Sequence, residues 1–125
     1  WIAEEETIQM FGDGSQSRDF TYVDDIARGT IAAIQDVGYE IINLGGGRNP
    51  VSLNTIIFKL EKLIGRKTKI DRKPFHVADL METWADISKA KNLLGWEPQV
   101  SLEEGLEKSV QWYMDNRHWL KEVQV

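Results

Sequence analysis

The spacing of apolar residues changes period several times along the chain, and each change marks an element. Leu53, Ile56, Ile57, Leu60, Leu63 and Ile64 recur at three- and four-residue intervals, the stripe of an amphipathic helix. Ser52 stands where an N-cap belongs and Gly65 where such a helix stops. A second helix follows Asp24 or Asp25, either of which can cap it, with Ile26, Thr30, Ala33 and Ile34 on one face. A short helix starts at Asp86 or Ser88 and ends at Gly95. The last begins in the capping box Ser101-Leu102-Glu103-Glu104 and runs to about Trp119, with Leu102, Leu106, Val110 and Tyr113 inward. Residues 7–11, 18–23, 39–44 and 67–71 read as strands, residues 12–15 as a glycine turn and 74–80 as a loop. Mixed strands and helices make the fold class α+β.

A length of 125 residues is one domain's worth, able to bury roughly two thirds of its unfolded surface. With 42% hydrophobic and 28% charged residues, the chain belongs with folded domains rather than disordered ones. A net charge of −5 gives no footing for nucleic acid, and the basic run at Arg66, Lys67, Lys69, Arg72 and Lys73 reads as a solvated strand face. There is no Cys, and His76 and His118 lie too far apart for a zinc motif, so no metal site is expected. No apolar run approaches the roughly 20 residues that span a bilayer, and Trp1-Ile2-Ala3 followed by three Glu is no signal peptide. A cytoplasmic location follows as the expectation. The start at Trp1, without Met and almost directly into a strand, reads as a fragment, with Glu4, Glu5 and Glu6 a frayed, solvated end.

Candidate chemistry is sparse. The turn Gly12-Asp13-Gly14-Ser15 follows a strand but continues into the extended Arg18-Asp19-Phe20, whereas a dinucleotide loop opens into a helix. Gly45-Gly46-Gly47 does join a strand to a helix, as a structural turn or a close backbone approach to a ligand, but lacks the dinucleotide spacing. Asp24-Asp25 and Glu103-Glu104 fit helix starts better than an acid–base dyad. The five Trp residues read as packing anchors. Arg18, between a glycine turn and an aromatic strand, can clamp an anion or pair with Asp19 or Asp13 at the surface; spacing decides neither.

The run from Phe11 through Ile26, FGDGSQSRDFTYVDDI, resembles the G-(D/N)-G-x-x-x-R-D-(F/Y) signature of extended short-chain dehydrogenase/reductases, the NAD-dependent sugar-nucleotide epimerases, decarboxylases and dehydratases. YEIINLGGGRNPV, beginning at Tyr39, is similar to their N-(L/I)-G-x-G block. Ala78-Asp79, the Trp84 to Ala90 run WADISKA, and Leu93-Leu94-Gly95-Trp96 with Pro98 are similar to a third block. The resemblance spans about residues 8 to 115.

That resemblance implies the C-terminal, UDP-sugar-binding part of such an enzyme, without the complete Rossmann domain. It implies that Phe11 and the backbone at Gln9 line the base pocket, Arg18 holds the diphosphate, Phe20 and Val51 pack on the nucleotide, and Asp79 accepts from ribose. His76 stands where many relatives carry a second phosphate-binding Arg, and Ala78 replaces a Gly; both features tilt toward the UDP-glucuronate epimerases. The cofactor loop and catalytic Tyr-x-x-x-Lys pair are absent, so the resemblance implies NAD and catalysis in the parent enzyme but no catalytic residue here. Residues 24–47 are expected to pack on the absent N-terminal cofactor domain, leaving the chain alone prone to self-association or domain swapping. The alternative is an autonomous, non-catalytic binding or interaction module of the same fold.

Overall fold

The computed structural model describes residues 1–47, 49–120 and 123. Strand β1 (Thr7–Phe11) runs parallel to β4 (Lys69–Lys73), with Thr7 opposite Lys69 and Phe11 opposite Lys73. Parallel neighbours need a long crossover, and this one includes helices α1 (Val23–Ala32) and α2 (Leu53–Ile64). A second small sheet centres on β2 (Ser17–Arg18), antiparallel to β3 (Val51–Ser52) and parallel to β5 (Glu82–Thr83). Helices α3 (Ser88–Leu94) and α4 (Leu102–Leu120) complete the α+β architecture, α3 against α1 and α4 against α2.

Local chemistry sets most boundaries. The Ser52 hydroxyl accepts the Thr55 amide at 3.2 Å to open α2, and Gly65, at φ 74°, closes it. The Asp86 carboxylate accepts the Ser88 amide at 2.9 Å before α3. Ser101 accepts the Glu104 amide at 3.2 Å before α4, while the Glu104 carboxylate pairs with Lys108 at 2.8 Å rather than closing the box. Ile2, Ala3, Met10, Ile56, Ala90 and Trp96 are the buried hydrophobic residues among those described.

Four expectations are corrected. The second strand ends at Arg18, because the Asp19 side chain is drawn to backbone amides outside the ladder, and residues 19–22 lead into α1 without a ladder. Neither Asp24 nor Asp25 caps α1: Tyr22 is the cap residue, without a side-chain bond, and Asp25 points into the interior. Residues 39–44 form no strand, since no described segment offers them a ladder. The 67–71 strand begins at Lys69, because the Thr68 amide donates to the Glu61 carboxylate at 2.8 Å.

The N-terminal acids are not frayed either. Residues 1–6 form a turn in which the Glu6 amide reaches the Trp1 carbonyl at 3.0 Å. Glu4 accepts from Tyr113 Oη at 2.9 Å and from Arg117, tying this turn to α4. The basic run is partly engaged with the same turn, Arg66 donating to the Ala3 carbonyl at 2.9 Å and Lys69 to the Glu5 carbonyl at 3.1 Å.

A buried knot fixes α1 to the chain after α3. The Asp25 carboxylate, 1% exposed, accepts from Val100 N at 2.9 Å, Gln99 N at 3.1 Å and Arg28 at 2.5 Å. Its carbonyl accepts Trp96 Nε1–H at 2.9 Å. A Cβ on Gly29 would stand 2.9 Å from that indole nitrogen and 2.7 Å from Leu44, so only glycine lets both approach the helix. Burial pushes the Asp25 carboxyl up, but the bonds from Val100, Arg28 and Gln99 outweigh it and leave its pKa below the ordinary 3.8. The opposite side of α1 carries exposed Val23 and Ile31; beyond its end Ile34 is 83% and Tyr39 92% accessible.

Candidate functional site

Arg18 sits at the end of β2, and its Nη1 donates to the Ser17 carbonyl at 2.8 Å. Its Nη2 donates to the Asp79 carboxylate in an ion pair that joins residues 61 apart. Neither Asp19 nor Asp13, the partners expected from local sequence, takes that role. Asp13 is held within its own turn, where the Ser15 hydroxyl and amide keep its carboxyl below the ordinary range.

The loop before β5 aims Asp79. The Asp79 amide donates to the His76 carbonyl at 2.9 Å, and the Leu80 amide donates to the Asp79 carboxylate at 2.9 Å. The Ala78 amide meets His76 Nδ1 at 3.2 Å, so this exposed imidazole serves the loop itself.

Two hollows flank the stretch 18–21. One, about 580 Å³, is lined by Arg18, Asp19, Thr21, Gly45, Trp84 and their neighbours. The other, about 540 Å³, takes in Phe20, Val51, Gly46, Asn49 and the entry to α4. Asp19 and Thr21 line both. Of the expected site residues, Arg18 and Asp79 are therefore joined, and Phe20 shares a hollow with Val51. Gln9 lies in β1 opposite Asp71, and Phe11 closes that strand half-exposed. Gln9, Phe11, His76 and Asp79 line neither hollow.

The sequence reading missed Asp19. Its Oδ2 accepts Gly47 N and Ala85 N, each at 3.1 Å, and so binds the glycine loop to the segment after β5. Its partners lie 28 and 66 residues away, beyond any spacing rule. Among the described residues no group of acidic or histidine side chains could hold a metal ion, and no helix is long and apolar enough to cross a membrane.

Residues 2–109 match the model of the GDP-mannose 4,6-dehydratase family. The UDP-glucuronate 4-epimerase of Thermodesulfobacterium geofontis is 60% identical over the whole chain, which spans 39% of that relative. The UDP-glucuronic acid 4-epimerase of Bacillus cereus, solved with UDP-glucuronic acid and NAD, superposes with a TM-score of 0.79 at 40% identity, over 90% of this chain and 37% of that one. The UDP-glucose 4-epimerase of Thermotoga maritima, solved with UDP-glucose, gives a TM-score of 0.83 at 34% identity, over 93% and 37%. With its R-D-F and A-D-I-S-K-A blocks on such a frame, the chain belongs to the GDP-mannose 4,6-dehydratase family and to the NAD-dependent sugar-nucleotide epimerases and dehydratases around it.

Proposed function

We propose that this chain is the UDP-sugar-binding, C-terminal portion of an NAD-dependent epimerase, nearest to those acting on UDP-glucuronate. The observation that carries the proposal is the Arg18–Asp79 pair, whose guanidinium lines one of the two hollows. Both side chains are partly exposed, and a pair of that kind contributes only about 0.2–1 kcal/mol. A diphosphate can therefore take the guanidinium from Asp79 at small cost, leaving the carboxylate to accept from ribose hydroxyls. Phe20 and Val51 supply apolar contact to the nucleotide, Phe11 and the Gln9 backbone line its base pocket, and His76 stands by the phosphates.

The proposal extends to the missing half of the reaction. NAD and the proton-transferring groups lie on a Rossmann domain outside these 125 residues, and residues 24–47 pack against it. The exposed Val23, Ile31, Ile34, Tyr39 and Ile41 support that arrangement, since exposed apolar surface of this kind usually has a partner. Without that domain the chain associates with itself through the same face.

Calorimetric titration with UDP tests the site. A charge-assisted hydrogen bond contributes roughly 1.5–3 kcal/mol, so Arg18→Ala should weaken UDP binding about 10- to 100-fold. Equal affinity in the variant would overturn the assignment. No binding by the unaltered chain would favour the second reading, an interaction module, for which the same exposed α1 face speaks.

A further inference from the structure

We propose that Asp19 is the positioning residue of this site: its carboxylate holds the glycine loop and residues 83–85 together, and so keeps Arg18 and Phe20 on their two hollows. The inference rests on the UDP-sugar reading and deepens it.

Three segments meet at this side chain. Gly47 N and Ala85 N both donate to Oδ2 at 3.1 Å. The contact leaves no room for side chains: a Cβ on Gly46 would lie 2.3 Å from Asp19 Oδ1 and 3.0 Å from the Phe20 carbonyl, and one on Gly45 would lie 2.4 Å from Ala85 Cβ. Arg18, one residue before, lines one hollow, Phe20, one residue after, lines the other, and Asp19 belongs to both. The wall between them is thus built around one carboxylate.

Asp19 does not serve as the ion partner of Arg18, which takes Asp79. A fixed negative charge beside a diphosphate site repels the ligand, so the residue's part there is geometric. It needs an oxygen with two free lone pairs at that place, which an amide carbonyl also offers.

The test uses the 125-residue chain with Asp19→Ala, Asp19→Asn and Asp19→Glu, reading UDP affinity by calorimetry and exchange of the Gly47 and Ala85 amides by NMR. Because a displaced Arg18 forfeits its charge-assisted hydrogen bond to the diphosphate, Asp19→Ala should lose UDP affinity at least roughly tenfold and deprotect both amides. Asp19→Asn should keep the affinity within about threefold and hold both amides, as its oxygen replaces the acceptor. Asp19→Glu, which keeps the charge but displaces it, should behave like Ala, and it decides the matter if the Ala variant fails to fold. Unchanged affinity in Asp19→Ala, or an Asn variant as weak as Ala, would overturn the positioning role while UDP binding by the unaltered chain still stands. If the unaltered chain binds no UDP although both amides are protected, the UDP-sugar reading itself fails and takes the positioning role with it, leaving only a structural clamp.

Discussion

Replacing Asp25 with Ala separates two physical accounts of one residue. As a helix cap it would be worth about 1 kcal/mol, and Asp24 would be its equal. As a buried acceptor it is worth more, because its removal strands the Gln99 and Val100 amides. A part-buried donor left without a partner costs about 1–3 kcal/mol, and Gln99 stands where water can reach it, so a total of about 2–4 kcal/mol is expected. Arg28 adds less to the loss, since its side chain is part-exposed and keeps the Glu97 carbonyl as an acceptor when the carboxylate is gone. For a chain of this size each kcal/mol moves the melting temperature by roughly 3–6 °C, so Asp25→Ala should melt about 6–24 °C lower by circular dichroism. Asp24→Ala should move it by no more than about 3 °C, and Asp25→Asn, with one oxygen left, should fall between. Melting of Asp25→Ala within about 2 °C of the unaltered chain would refute the reasoning, as would equal losses at Asp24 and Asp25.

The same carboxylate sets an acid limit. Its pKa is lower folded than unfolded, so the stability it contributes is fully present above the ordinary 3.8 and is lost as pH falls through the lower folded value. Acid titration of Asp25→Asn should show a flatter loss across that window, and an unchanged slope would count against the assignment. The chain should self-associate at micromolar concentration by light scattering, and joint replacement of Ile31 and Ile34 by Lys should return it to monomer. A monomeric unaltered chain would contradict the docking face.

Much of the fold was legible because its signals are local. Ser52, Gly65, Gly95 and Ser101 act through bonds or backbone angles within four residues, and the structure places the helix ends where they point. The glycine turn was equally plain, with Gly12 and Gly14 at positive φ, although the strands it joins enter different sheets rather than a hairpin. Strands were read less well: residues 39–44 have the right composition yet no partner, and a strand exists only with one.

By itself the sequence determined the helices, the turns and, through its motif blocks, the family. Tertiary structure alone decided which carboxylate meets Arg18, where Asp19 reaches and that Asp25 turns inward. Each of those bonds joins residues 28 to 75 positions apart. Side-chain periodicity specifies which face of an element is buried; it carries no information about which distant donor an acid finds there, because that depends on how the packed elements are brought together.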